Sequence, residues 1–126
     1  MRVAICGVVN SGKTTLSDEL EVEHPEATIR HADDLIYLGW SGASAMCATF
    51  FDDEGDLVVE GMAVPRALRK WLHAHPDGPP VDTVLWLGEA HKPLSVGQRS
   101  MSKGARKVLG EIVDELRSRG TAVVGL

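Results

Sequence analysis

Residues 7–14 read Gly-Val-Val-Asn-Ser-Gly-Lys-Thr, a complete G-x-x-x-x-G-K-[ST]. In that pattern the glycines let the backbone curl so that successive N–H groups point inward at an anion. A helix beginning near Lys13 adds its positive end. The ligand this predicts is the phosphate chain of ATP, cradled by Gly7, Asn10, Ser11, Gly12, Lys13, Thr14 and Thr15. Lys13 is expected to reach the β- and γ-phosphates, and the Thr14 hydroxyl to ligate Mg²⁺. A second chemical feature is the pair Asp33-Asp34. An alcohol is a poor nucleophile until a carboxylate within hydrogen-bond reach takes its proton. An acceptor that is already anionic, such as a nucleoside monophosphate, needs arginine instead. Adjacent aspartates therefore favour a hydroxyl acceptor, with Asp33 the base and Asp34 a helix cap or a partner in the Mg²⁺ shell. The plainer alternative is that one Asp only caps the following helix. Glu60 ends a β-branched run and is placed to hold Mg²⁺ through water, or else is a strand-end carboxylate with no such role.

Cations supply the remaining chemistry. Arg66, Arg69 and Lys70 are spaced to share one helix face, where they would grip an acceptor's phosphates or simply be solvated. Trp40, Phe50 and Phe51 lie between Asp33 and Glu60, where a base could stack, although core packing is the expected duty of at least two of the three. Residues 91–107, HKPLSVGQRSMSKGARK, have the composition of a short lid. Arg99, catalytic by this reading, and Lys103 would close over the transferring phosphoryl group. His73, His75 and His91 show no metal-ligand spacing with cysteine.

These residues need elements to hold them. Strands are predicted at 2–6, 27–31, 57–60, 82–87 and 121–124. The runs 82–87 and 121–124 are nearly continuous in apolar residues, as in strands buried on both faces. Helices are predicted over Lys13–Val22, from about Asp34 to Ala48, from Pro65 to about Ala74, and across a long segment carrying Met101, Ala105, Val108, Leu109, Ile112, Val113 and Leu116 at helical spacing. Gly120 is placed to end the last one. Strands alternating with helices imply parallel βαβ units. The expected fold is an α/β three-layer sandwich of P-loop NTPase type, with a five-stranded parallel sheet in order 2-3-1-4-5 and a lid at about 91–107.

The chain has 126 residues, which predicts a single domain over 1–126. Its 44% hydrophobic and 25% charged residues exclude a disordered polymer. There is no apolar run of membrane-spanning length and no secretory leader pattern, so no membrane partner is expected. Two cysteines suit a reducing compartment, and the expected location is the cytoplasm. Charge is unevenly spread: residues 1–62 carry 3 Lys/Arg against 12 Asp/Glu, and residues 92–126 carry 7 against 3. A basic C-terminal block on an acidic body is what a site for a phosphorylated ligand could use. No N-K-x-D tetrapeptide reads guanine, and the chain is short for a motor, which leaves the small kinase type.

The segment Gly7–Thr15 followed by His24-Pro-Glu-Ala-Thr-Ile-Arg-His-Ala-Asp-Asp34 resembles the N-terminal part of the phage polynucleotide 5′-hydroxyl kinases. The likeness covers about the first 40 residues. It implies that Lys13 and Thr14 serve ATP and Mg²⁺ and that Asp33 activates the hydroxyl. It departs at Ala32, where that family has arginine. The stretch is also similar to chloramphenicol phosphotransferases and zeta-toxin kinases, which place an Asp after strand two. What the resemblance implies is a kinase acting on a nucleic-acid hydroxyl, a 5′ end or 5-hydroxymethyluridine in DNA, in the host cytoplasm if phage-encoded. Two alternatives stay open: a kinase for a free small molecule or nucleotide, and a non-enzymatic ATP-binding regulatory module.

Overall fold

A computed structural model describes all residues from Met1 to Leu126. Five strands, β1 (Arg2–Gly7), β2 (Thr28–His31), β3 (Leu57–Glu60), β4 (Thr83–Leu87) and β5 (Ala122–Val124), form one sheet in the order β2-β3-β1-β4-β5. Every neighbouring pair is parallel. Four helices connect them: α1 (Lys13–Glu23), α2 (Gly39–Phe50), α3 (Val64–Ala74) and α4 (Val96–Ser118). The topology is the one expected from the sequence.

The connections account for the layers. A parallel crossover is right-handed, so the direction of travel along the sheet selects the face its helix covers. Only β1→β2 moves one way, and the other three crossovers move the opposite way. Accordingly α1 lies alone on one face, where Leu16 and Leu20 pack on Val3, Ile5 and Val58. The other face carries α2, α3 and α4 over Ala4, Cys6, Val59, Val84, Trp86 and Val123. Period-two alternation within β1 sends Val3 and Ile5 to α1, and Ala4 and Cys6 to the larger core.

One helix cannot cover a five-stranded face. The sheet is therefore left partly open on the α1 side at β4 and β5. Val84, Trp86 and Val123 are buried, whereas Leu85 and Leu87 are half-buried and Ala122 and Val124 are exposed. The apolar runs 82–87 and 121–124 thus do not belong to strands buried on both faces. Composition cannot separate one covered face from two when the second face is apolar but bare.

One helix also differs from expectation. The segment from Asp34 to Ala48 is not one helix: Ala32–Leu38 forms a 3₁₀ stretch, and α2 begins at Gly39. Gly39 has φ +73° and ψ 170°, a combination that only glycine adopts without strain, and it turns the chain between the two axes. The segment 91–107, expected as a loop leading into a helix, has that form. A loop through residues 88–95 leads to Ser95, whose side chain and that of Gln98 form a reciprocal capping box. From there α4 runs unbroken for 23 residues. No helix is long and apolar enough to cross a membrane.

Candidate functional site

The carboxyl ends of β1, β2 and β3 converge on one cleft, the position where open parallel sheets hold ligands. It encloses about 360 Å³ and is lined by the run Val9–Thr15 together with Asp33, Ile36, Met62 and Met101. The loop between β1 and α1 is shaped by backbone conformation. Asn10 has φ +58° and Gly12 has φ +89°, two left-handed residues flanking Ser11 that curl the loop, the backbone form that can present amides to an anion. Gly12 is the residue before α1 and has no capping side chain, which leaves the first amides of that helix directed at the cleft.

Neighbours fix the loop. The Val8 N–H donates to the Leu87 carbonyl (2.9 Å), and the His91 N–H donates to the Asn10 carbonyl (2.8 Å). The Val9 N–H donates to Ser102 Oγ at 3.0 Å, and that hydroxyl donates in turn to the Gln98 carbonyl at 2.8 Å. Val9 is thereby removed from the set of amides open to a ligand. Ser102 is buried and had no signal in the sequence, because a serine on the inner face of a helix reads as a neutral substitution.

Lys13 is buried, and its Nζ donates to the Val8 carbonyl at 2.8 Å and to Ser11 Oγ at 3.4 Å. Burial pulls its pKa down, with Asp33 and Glu60 acting the other way. A desolvated ammonium with only neutral partners gains strongly from an arriving anion. The Thr14 side chain is exposed. Its hydroxyl takes part in no hydrogen bond, so it can ligate a cation.

Asp33 faces Lys13 across the cleft. Its Oδ1 accepts the Met62 N–H at 3.0 Å, which fixes the carboxylate while Oδ2 stays open. Gly61 makes this approach possible. At φ +142° its hypothetical Cβ would lie 2.9 Å from Asp33 Oδ1 and from Ala32 Cβ. Asp34 is exposed, does not line the cleft and does not cap: the residue before the 3₁₀ stretch is His31, with no side-chain cap.

Glu60 is nearly sealed from solvent at 2% exposure and does not line the cleft. Its Oε1 lies 2.6 Å from His31 Nδ1, and its Oε2 is buried without a partner. Burial raises the Glu60 pKa, opposed by the His31 hydrogen bond, and that same hydrogen bond raises the pKa of His31. A strand-end Glu was foreseen. Its histidine partner on the adjacent strand was not, since pairing follows from the register that sets His31 beside Glu60.

Other expected residues fall elsewhere. Arg99 is exposed and donates to the Leu94 carbonyl at 3.3 Å. Lys103 is also exposed, and neither side chain lines the cleft. The part of α4 that does reach it is Met101, because a helix presents Arg99 and Lys103 on a different face. Phe51 is core, Phe50 is half-buried beneath the Arg30 guanidinium (5.2 Å from the ring centre), and Trp40 is 36% exposed. Arg66 lies over Trp40 with its guanidinium carbon 5.1 Å from the ring centre. Arg69 pairs with Glu111 at 3.3 Å, and Lys70 donates to the Ser41 carbonyl at 3.0 Å. A second recess of about 570 Å³ opens on the α1 side, lined by Asn10–Gly12, Thr15, Leu16, Glu19, Leu87, His91 and Lys92. Together the two recesses flank the loop on both sides. No protein-family model matches this chain, and no curated protein does.

Proposed function

We propose that the chain is a P-loop kinase that uses ATP and Mg²⁺ to phosphorylate a hydroxyl group, with DNA as the acceptor. The observation that carries the first half is the shared cleft. A buried lysine and a nest of inward amides face a carboxylate whose one oxygen is tied down and whose other is open. An anionic phosphate chain suits the first side, and an alcohol that must lose a proton suits the second. Asp33 Oδ2 takes the proton of the attacking hydroxyl. Lys13 holds the phosphoryl oxygens and offsets charge as the bond to the leaving phosphate lengthens. With Arg99 and Lys103 outside the cleft, that duty rests on Lys13 and the loop amides.

Mg²⁺ bound with ATP would supply positive charge against the phosphates. The free Thr14 hydroxyl fits as its direct ligand. Glu60 does not line the cleft, and its buried, unpartnered Oε2 would act on the ion only through water. The recess beside His91 and Lys92 is where the nucleoside end of ATP would lie, on the far side of the loop from Asp33.

The DNA acceptor is supported by the resemblance of the first 40 residues and by the Trp40–Arg66–Arg69–Lys70 cluster. The net acidity of residues 1–62 favours a second reading, a small neutral alcohol as acceptor. Calorimetric titration with Mg·ATP, followed by assay of ADP release on adding hydroxyl-bearing DNA or free nucleosides, tests both. ADP release with nucleosides equal to that with DNA selects the small-molecule reading. Binding of ATP with no acceptor-dependent ADP release leaves a regulatory ATP-binding module.

A further inference from the structure

Beyond the cleft, α2 and α3 enclose a recess of about 270 Å³ lined by Trp40, Ser41, Ser44, Arg66, Arg69 and Lys70. We propose that it is a second phosphate-binding site, separate from the glycine loop, and that it takes a backbone phosphate of the acceptor chain. Assignment to the acceptor rests on the kinase reading above, whereas the anion site itself does not.

Three observations converge on it. The lining holds three cations and no carboxylate; the acidic side chain tied to it is Glu111, paired with Arg69 where the two side chains are 48% and 39% exposed. That pair contributes little and can yield to a better anion. Arg66 holds the only buried side-chain nitrogen that lacks a hydrogen-bond partner. The arginine ion pairs are those of Arg30, Arg69 and Arg119, while Arg66 has only the face of Trp40 and an Nη1 that is buried without any acceptor. A guanidinium with one nitrogen buried and unpartnered, and with no counter-ion, is costly to maintain, and its fork of donors matches a phosphate. Trp40 holds the guanidinium plane in place, so little freedom is lost when an anion arrives.

The position also fits. Along α4, Met101 lines the cleft, and Gly104 touches Arg66: a Cβ there would lie 3.3 Å from Nη2. Three helical residues rise about 4.5 Å. On the other side, Met62 lines the cleft four residues before Arg66. The recess is thus about one helical turn beyond the reacting cleft, comparable with one or two nucleotide steps of about 3.4 Å in a stacked strand. A phosphate bound there belongs to a group next to the reacting hydroxyl.

The test is residue-resolved NMR without ATP and without turnover. The Trp40 indole N–H, the Arg66 Nε–H and the Asn10–Thr15 amides are followed during titration with inorganic phosphate. A second titration uses a dinucleoside monophosphate bearing no terminal phosphate. Saturable shifts at Trp40 and Arg66 with both probes are expected, weakened about tenfold by Arg66→Gln. Lys70→Gln, at a half-exposed position, should weaken binding several-fold, and it keeps the test decisive if Arg66→Gln does not fold. Shifts confined to Asn10–Thr15, or Trp40 shifts that survive both substitutions, overturn the site. Phosphate binding without dinucleotide binding overturns its assignment to the acceptor chain. Absence of kinase turnover, by contrast, would count against the reading of the cleft and leave the anion titration unaffected.

Discussion

At the residue scale, two side chains divide the work in the proposed kinase. Lys13 is buried among neutral partners and Asp33 is held by one oxygen, so their removal should have different consequences. Lys13→Ala is expected to lose ATP affinity and turnover together. Asp33→Asn keeps the Met62 contact but cannot accept the alcohol proton, so turnover should fall about 10²–10⁴-fold while ATP affinity, measured calorimetrically, changes little. If Asp34→Asn is the damaging change and Asp33→Asn is not, the base is the neighbouring residue. The His31–Glu60 pair makes a second prediction. The Glu60 hydrogen bond raises the His31 pKa, so by NMR its imidazole should titrate above the ordinary 6.5 and drop back in Glu60→Gln. A raised folded pKa contributes stability that is complete below the unfolded value and is lost as pH rises through the folded one. Burial raises Glu60 as well, and that acts in the same direction. Denaturant midpoints should therefore fall between mildly acidic and mildly alkaline pH, less steeply in His31→Gln, which can donate the hydrogen bond but does not titrate. An unchanged slope in that variant would remove the pair as its source.

At the scale of elements, the site depends on how closely β3 and the 3₁₀ stretch approach. Gly61→Ala forces a Cβ against Asp33 Oδ1 and Ala32 and asks a non-glycine residue to hold φ +142°. Strain of about 1–3 kcal/mol is expected. Moving Asp33 should also lower turnover more than ATP affinity, a split that plain destabilisation would not produce. In the long helix, Leu109 is fully buried, and Leu109→Ala should cost about 2–5 kcal/mol in chemical denaturation. Such elements were legible because their signals are local: β-branched strands, Pro65 near a helix start, and apolar residues at helical spacing from Met101 to Leu116. The glycine motif located its loop for the same reason. What escaped the sequence depends on contacts between distant segments. The break at Gly39 lies inside a run of helix-compatible residues. The Ser102 bond to the loop joins residues 93 apart. Arg99 and Lys103 had the right chemistry for a lid, but a continuous α4 turns them away from the cleft.

For the molecule as a whole, charge is the property that bears on the acceptor. Arg2, Arg117 and Arg119 donate to backbone carbonyls of the loops and strands they join, so part of the basic inventory is structural. The cations near the acceptor side are Arg66, Arg69 and Lys70, set against an acidic first half. Few phosphate contacts imply weak DNA binding with a shallow salt dependence, a log–log slope of about two to four at roughly 0.9 per contact. Replacing all three with Ala should raise the KM for DNA and flatten that slope while kcat at saturation is largely kept. A steep slope insensitive to the triple change would place the DNA on the exposed α4 cations instead.

The most direct test of the central claim is transfer itself. Protein, Mg²⁺ and ATP labelled in the γ-phosphate are incubated with DNA bearing either a free 5′-hydroxyl or a hydroxymethylated base, alongside Asp33→Asn. The account predicts label on the DNA as a phosphate ester, removable by a phosphatase and reduced at least a hundredfold by the substitution. Label released only as inorganic phosphate, at the same rate with and without DNA, would contradict it.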